Sequence, residues 1–416
     1  MLKININKMK KLLFIVFFAS IVSCNKEYTP ENKIKEDVSF LADDKLEGRQ
    51  TGTPGEKAAA TYIADRFKEL GLKPKGTNGY FQEFSFKPKT DPHQEVKYTM
   101  VNADSSITGT NVIGYIDNKA ARTIVVGAHY DHLGYGSEGS LYRGEDKAIH
   151  NGADDNASGV AIMLNLASKL KNTNKGNNYL FMSFSGEEIG LLGSNYFVKN
   201  STINVDSINY MLNMDMVGRL KKDSTLAVYG VGTSPIFKQV ITASNNKFKI
   251  IENESGVGPS DHTSFYLSDV PVLHFFTGQH EDYHKPSDDS DKLNYEGMEA
   301  ISSYIFDIIK DLDDNGELAF RKTKNESEET PRFKVTLGVV PDYMFDGEGM
   351  RIDGVSEEKP AQKAGLLKGD IVVQLGEYEI KDMMAYMKAL SKFEKGNTTI
   401  VKVDRDGKII EAEITF

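Results

Sequence analysis

Five short stretches of the sequence carry histidine, aspartate and glutamate in combinations that metal chemistry uses. In chain order they are GAHYDH (127–132), GADDNASG (152–159), SGEE (185–188), NMDM (213–216) and EDYHKPSDD (281–289). Carboxylates gathered at one place repel one another and lose solvation, so each favours its protonated form unless a cation is present. We therefore expect these stretches to converge on a cation.

The mixture of imidazole and carboxylate groups indicates which cation to expect. Such ligands suit zinc, and also cobalt or manganese. The five stretches offer too many donors for one four-coordinate ion. Two ions that each take one histidine and one terminal carboxylate, and that share a bridging aspartate, use five ligands and lie about 3.5–4 Å apart. Any one stretch alone is better explained as a helix cap, a turn or a structural histidine, so the prediction depends on the ordered set.

The elements that must position these groups alternate along the chain. Strand patterns occur within RTIVVGAH, NYLFMSF, INYMLNM and PVLHFF, and helical patterns at Gly55–Leu72, 157–170, near Ile189–Val198 and at Tyr295–Leu312. This alternation predicts an α/β fold, in which a mixed, mostly parallel sheet is sandwiched by helices. Ligands in such folds bind beyond the carboxyl ends of the strands, where the polar stretches fall.

The same stretches, in this order, resemble the M28 family of di-zinc aminopeptidases over residues 37–312. The resemblance implies the zinc-exopeptidase fold and two zinc ions. It also implies five metal ligands, which are His129, Asp155, Glu188, Asp215 and His284. The fourth letter of GADDNASG matches the bridging ligand, so Asp155 is expected to bridge the ions and Asp154 is not. Family members usually have a cis peptide bond after that aspartate, which here is Asp155–Asn156.

The resemblance also gives roles to residues that do not bind the metals. Asp131 is expected to orient His129, Glu187 to act as the general base, and Tyr283 to stabilise the tetrahedral intermediate. In the mechanism that this implies, the ions lower the pKa of a shared water and polarise the scissile carbonyl, and Glu187 passes the water's proton to the leaving amine. The segment Ser260–Tyr266 is expected to line the cleft.

The implied activity is that of a zinc-dependent aminopeptidase, which removes N-terminal residues from peptides. A carboxypeptidase of the same fold is the alternative. It would need a basic residue for the terminal carboxylate of the substrate, and no such residue is evident in the sequence. Single-zinc glutaminyl cyclases of the family are less consistent with five intact ligands.

The composition changes near residue 313, where the polar and charged stretch NESEETPR has the character of a linker. We divide the sequence into a signal peptide (1–23), a peptidase domain (24–315), a linker (316–331) and a small β-rich domain (332–416). In the last, residues 360–376 resemble a PDZ domain, with Thr336–Val339 at the position of its carboxylate-binding loop. A helix is predicted at Asp382–Phe393, followed by two short strands that end at Phe416.

The PDZ resemblance implies a ligand with a free C-terminus that adds to the sheet as an extra strand. The loop departs from the usual PDZ pattern, and PDYMFDGEG follows it as an insertion. Two alternatives therefore stay open. The domain is a structural cap on the peptidase, or the protein is a catalytically idle scaffold whose working part is the PDZ domain.

The N-terminus has the features of an exported protein. Four lysines in the first eleven residues precede the apolar run Leu12–Val22, which is too short to span a bilayer comfortably and is typical of a signal peptide. Cys24, the only cysteine, follows in a position that resembles the lipobox of bacterial lipoproteins. These features predict a lipid-anchored protein on the periplasmic or surface side of the cell envelope. The net charge of −10 argues against a nucleic-acid partner.

Overall fold

The computed structural model describes residues 30–88, 97–100, 104–136, 139–144, 146–323, 335–342, 345, 347–356 and 359–416. They form a ten-stranded mixed sheet and a separate six-stranded sheet, each with its own apolar core. The predicted signal peptide, Cys24 and residues 324–331 of the predicted linker lie outside the described residues. Within those residues, no helix combines the length and apolarity needed to cross a bilayer.

The helices are α1 Pro30–Leu41, α2 Pro54–Glu69, α3 Gly159–Leu170, α4 Leu192–Lys199, α5 Phe237–Ala243, α6 His262–Tyr266, α7 Tyr295–Leu312, α8 Pro360–Lys363 and α9 Met383–Leu390. The strands of the large sheet are β1 Lys73–Pro74, β2 Phe81–Phe86, β3 Tyr98–Thr99, β4 Ile107–Ile116, β5 Thr123–His129, β6 Asn178–Phe184, β7 Ile208–Met214, β8 Thr225–Tyr229, β9 Lys249–Asn253 and β10 Val272–Phe276. Those of the small sheet are β11 Val339–Pro341, β12 Met350–Val355, β13 Ile371–Leu375, β14 Tyr378–Glu379, β15 Thr398–Arg405 and β16 Lys408–Thr415.

The centre of the large sheet is parallel. Strands β6, β5, β7 and β10 are neighbours in that order, and all the pairs between them are parallel. Every residue of these four strands is buried, as expected for parallel strands covered on both faces. Strands β1 to β4 add an antiparallel edge on the β6 side. The sheet is therefore mixed, as predicted, with its parallel part at the centre.

Helices cover both faces of this sheet. On one face α1, α3 and α7 contact one another and pack their apolar sides against the strands. On the other face α4 and α6 contribute Phe197 and Phe265, which are fully buried. The long helix α7 spans the predicted range, and Asn294 caps its first turn by accepting from the Gly297 N–H at 2.8 Å. The helix expected near Ile189 begins only at Leu192, because Gly190 and Leu191 have positive φ angles and form a turn.

The small sheet is antiparallel, in the order β11-β12-β13-β15-β16 with β14 beside β13. Its core includes Leu337, Val372, Leu375, Val401 and Val403, all fully buried. The helix expected at Asp382–Phe393 is α9, and Asp382 caps it. The two strands that end the chain have eight residues each, so they form a longer hairpin than predicted.

The first part of the predicted linker is attached to the large domain. Leu318 is buried in its core, and the Leu318 N–H donates to Asn209 Oδ1 at 2.8 Å. Thr323 exchanges hydrogen bonds with the hydroxyl of Tyr266. Residues 318–323 therefore behave as an extension of the large domain.

Candidate metal centre

The four parallel strands bring the polar stretches to one edge of the sheet. His129 is the last residue of β5, Asp215 follows β7 directly, and Glu187 and Glu188 follow β6 after two residues. The strand ends lie level, since His129 pairs with Phe184 of β6. His284 reaches the same place from the loop after β10. The expected convergence at the carboxyl ends of the strands is therefore confirmed.

Asp155 lies in the turn that leads into α3. The peptide bond between Asp155 and Asn156 is cis, as the family resemblance implied. The Asn156 side chain donates to the Met214 carbonyl and accepts from the Gly159 N–H, which fixes the turn to the end of β7 and the start of α3. The backbone N–H of Asp155 donates to Asp288 Oδ2 at 3.1 Å. These hydrogen bonds therefore fix the turn to the end of β7, to the start of α3 and to Asp288.

One group of donor atoms surrounds Oδ1 of Asp155. His129 Nε2 lies 3.3 Å from this oxygen and 3.3 Å from Asp215 Oδ1. These three side chains have ligand atoms that all lie within 4.8 Å of one another. His129 is buried, with 1 % of its surface exposed.

A second group surrounds Oδ2 of Asp155. His284 Nε2 lies 3.2 Å from this oxygen and 3.3 Å from Glu188 Oε2. Asp155 therefore divides its two oxygens between two sets of donors. The structure brings together all five side chains expected to be ligands, and it leaves Asp154 outside. The Asp154 carboxylate instead accepts from the Gly218 N–H and lies 3.1 Å from His280 Nε2.

The spacing of these atoms matches zinc. Donor atoms about 2.0–2.1 Å from a tetrahedral zinc ion lie about 3.3 Å from one another. All four imidazole–carboxylate distances across the two groups are 3.2–3.3 Å. The donor chemistry, imidazole nitrogen with carboxylate oxygen, is also that of zinc sites. The residues of both groups therefore fit this metal.

The acids control the protonation of the two imidazoles. Burial alone would lower the pKa of His284, but Glu188 and Asp155 outweigh burial and raise it to about 11. Burial also opposes the charged form of His129, and Asp215 and Glu187 raise its pKa well above the usual value. The field of the acids therefore attracts positive charge to the positions between them, which is the property that a cation site requires.

His132 contacts Glu188, and we did not predict this contact from the sequence. Its Nδ1 lies 2.7 Å from Glu188 Oε1, while the other oxygen of Glu188 faces His284. His132 Nδ1 is 3.9 Å from Asp155 Oδ2, farther than His284 Nε2. With Asp155 and Glu188, His132 forms a set of ligand atoms that all lie within 4.8 Å of one another. It therefore competes with His284 for the ligand position beside Glu188. The only signal in the sequence was a second histidine in GAHYDH.

Arg49 also contributes to the site and was not predicted from the sequence. It is completely buried, and its guanidinium donates to the carbonyl oxygens of Tyr130, Leu41, Asn151 and Gly152. Burial lowers its pKa to about 10. Two of these carbonyls immediately precede the turn that carries Asp155, so Arg49 joins that turn to the end of β5. An arginine in a polar stretch gives no indication in the sequence that it will be buried.

Asp131 and Glu187 lie next to the donor groups. The Asp131 carbonyl is 3.2 Å from His129 Nδ1, while the nearer carboxylate oxygen is 3.7 Å away. The carboxylate instead accepts from Thr51 Oγ1 and from the Glu187 N–H. Glu187 Oε2 is 4.0 Å from His129 Nε2. Burial raises the pKa of Glu187 well above the usual value, and the charges of Asp215 and Glu188 raise it further.

A cavity of about 260 Å³ opens at the donor groups. Glu187 and Glu188 line it, together with Tyr283, whose ring stacks on His284 with 3.8 Å between centroids. Pro259 and His274 also line it. The expectation that Ser260–Tyr266 lines the cleft was wrong, because this segment is buried one layer behind the cavity, where His262 stacks on His274.

The large domain has the fold of the zinc-dependent exopeptidases. An aminopeptidase from Aneurinibacillus sp. strain AM-1 superposes with a TM-score of 0.53 and 18% sequence identity, over 70% of this chain and 95% of that one. Residues 111–309 match the model of peptidase family M28, and residues 318–416 match that of the PDZ domain. Two parts of the chain are therefore similar to known families, the first to peptidase family M28 and the second to the PDZ domain.

Curated relatives match parts of the chain. The alkaline phosphatase isozyme conversion protein of Escherichia coli (strain K12) is 32% identical over 154 residues, which is 36% of this chain and 41% of that protein. Aminopeptidase YwaD of Bacillus subtilis (strain 168) is 26% identical over 230 residues, which is 50% of this chain and 47% of that protein. The chain thus spans less than half the length of these two relatives.

Proposed function

We propose that this protein is a metallo-aminopeptidase that uses two zinc ions. The observation that carries the proposal is the division of the Asp155 carboxylate between two donor groups. Oδ1 faces His129 and Asp215, and Oδ2 faces His284, whose Nε2 also lies 3.3 Å from Glu188 Oε2. The names of the relatives that match the peptidase domain include aminopeptidases, which supports a peptide substrate with a free N-terminus.

Each group of this site has a distinct task. Zinc ions held here would supply an activated water and would polarise the carbonyl of the substrate. Glu187, which belongs to neither donor group and lines the cavity, accepts the proton of that water and returns it to the departing amine. A base needs a pKa near the operating pH, and burial moves the pKa of Glu187 upward from its usual range. Asp131 holds Glu187 in place by accepting from its backbone N–H.

Asp155, Glu187, Glu188 and Asp215 all line the cavity. Two zinc ions held there would balance most of this negative charge. The preference for the aminopeptidase over the carboxypeptidase therefore rests on the names of the relatives. Tyr283 lines the same cavity, and a role in stabilising the tetrahedral intermediate stays a prediction.

The test is hydrolysis of aminoacyl 4-nitroanilides by the purified full chain, after metal removal and again after addition of zinc. We expect no hydrolysis without metal and restored hydrolysis as two equivalents of zinc bind. Peptides blocked by N-acetylation serve as the control and should not be cut. Cleavage of the acetylated peptides from their C-terminus would instead identify a carboxypeptidase.

Two further proposals concern the rest of the chain. A lipid at Cys24 would anchor the peptidase at the cell envelope, and mass spectrometry of the membrane fraction tests this. Loss of the anchor in a Cys24→Ala variant is the expected outcome. The PDZ domain is proposed to bind a peptide with a free C-terminus. Support comes from Gly338, which has a φ of 76° and belongs to Thr336–Val339, the segment expected to be the carboxylate-binding loop.

A further inference from the structure

The small sheet takes part in the cavity at the metal centre. Val339, Val340 and Pro341, which form strand β11 of the PDZ domain, line the same cavity as Glu187, Glu188 and His284. The lining from the peptidase domain includes the apolar residues Met216, Tyr229 and Phe276. A substrate bound at the donor groups therefore meets both domains.

The side chain that faces the cavity can be identified from the strand geometry. Val339 packs against the apolar core of the PDZ domain. Because successive side chains of a strand point to opposite faces, Val340 faces away from that core. Strand β11 is also the edge of its sheet, with β12 as its only partner among the described strands. Val340 is thus presented to the peptidase domain.

A second cavity, of about 590 Å³, continues from the first between the two domains. Leu141, Tyr283 and Val340 line both cavities. The second one is polar, and its lining includes Arg143, Lys285 and Asp353. The smaller, partly apolar cavity at the donor groups is suited to a side chain, and the larger polar one is suited to the chain that continues from it.

We propose that the cleft between the two domains binds the substrate and that Val340 of the PDZ domain is a specificity-determining residue for the N-terminal side chain. The cleft would select peptides that begin with an apolar residue. The zinc ions would neutralise the acids of the cavity, and a charged side chain would lose its hydration against Val340, Met216 and Phe276 without gaining a partner there. The PDZ domain then has a role in substrate choice that does not require a separate ligand. This inference rests on the proposed aminopeptidase function.

The test compares leucyl and lysyl 4-nitroanilides as substrates of the zinc-loaded full chain. Wild type is expected to prefer the leucyl substrate. In Val340→Asp, the new carboxylate gives a lysine side chain a partner, so the ratio of kcat/KM for lysyl over leucyl should rise at least tenfold. The control is Ile400→Asp, which adds the same charge to the PDZ domain at an exposed position on β15 that lines neither cavity. Its ratio should stay within twofold of wild type.

Several outcomes would contradict the inference. An unchanged ratio in Val340→Asp, with normal zinc content, would overturn it, and so would an equal shift in Ile400→Asp. If Val340→Asp does not fold, Val340→Ala replaces it, and a rise of at least threefold for phenylalanyl over leucyl substrate is expected from the enlarged cavity. An unchanged ratio there would also overturn the inference. A wild-type protein that binds zinc but hydrolyses no anilide contradicts the proposed function, and this inference with it.

Discussion

The imidazoles of His129 and His284 face opposite oxygens of a single carboxylate. That carboxylate belongs to Asp155, and the two nitrogen–oxygen distances are 3.3 and 3.2 Å. Two histidines separated by 155 positions are thus linked through one side chain. A ligand shared in this way would fix the distance between the two proposed ions, so that both could act on one water and one carbonyl.

Asp155 and its neighbour Asp154 should respond differently to the same substitution. Asp155→Asn removes a charge that the two proposed ions would share, so we expect bound zinc to fall below one equivalent after dialysis and hydrolysis to fall by more than a hundredfold. Asp154→Asn keeps an oxygen to accept from the Gly218 N–H, and we expect about two equivalents of zinc to remain. Elemental analysis of the two dialysed variants measures this difference. Equal zinc in both variants would contradict the bridging role.

The two adjacent glutamates provide a second matched pair. Glu187→Gln removes the proposed base and leaves both donor groups intact, so zinc should stay bound while kcat falls about 10²–10⁴-fold, the usual contribution of a general base. Glu188→Gln removes a ligand of the second group, so zinc should be lost together with activity. Zinc content and kcat, measured on the same preparations, separate the two roles. High activity in Glu187→Gln would exclude it as the base.

Sequence reasoning succeeded where the pattern is local. The apolar runs at β5, β6, β7 and β10 showed where strands lie, and α7 was predicted to the residue. The position of the metal centre followed from topology, because parallel neighbours end at one edge of a sheet. The five expected ligands came from the family resemblance, and the structure brings them together. Their roles as ligands stay predictions until metal is measured.

What the sequence missed depends on contacts between distant residues. The hydrogen bond from His132 to Glu188 joins residues 56 positions apart, and that from Arg49 to Gly152 joins residues 103 apart. Periodicity in the sequence does not indicate contacts between residues so far apart. The same is true of the edge strands β1 to β4 and of Val340, which reaches the metal centre from the other domain. Local pattern predicts elements, and long-range packing determines which of them meet.

Zinc binding should release protons. Glu188 and Asp155 raise the pKa of His284 to about 11, so this imidazole carries a proton at pH 7 in protein prepared without metal. Asp215 and Glu187 raise the pKa of His129 as well, which favours its charged form. An imidazole must lose that proton to bind a metal. We expect at least one proton, that of His284, to leave as zinc binds, and each proton released makes the affinity rise about tenfold per pH unit between pH 6 and 8. Calorimetric titration in buffers of different ionisation enthalpy counts the protons. Identical heats in all buffers would contradict this prediction.

Arg49 should be essential for the stability of the peptidase domain. It is fully buried and donates to four carbonyl oxygens, so Arg49→Lys leaves some of these acceptors without a donor and is expected to cost about 3 kcal/mol. Because the two sheets have separate apolar cores, amide hydrogen exchange in β5 and α3 is the measurement that reports on the peptidase domain. The control is the exposed Arg321, whose replacement by lysine should leave this exchange unchanged.

Because Arg49 joins the turn of Asp155 to the end of β5, the zinc affinity of Arg49→Lys should also fall. A stable Arg49→Lys variant with weakened zinc binding would show that this arginine orients the site more than it stabilises the fold.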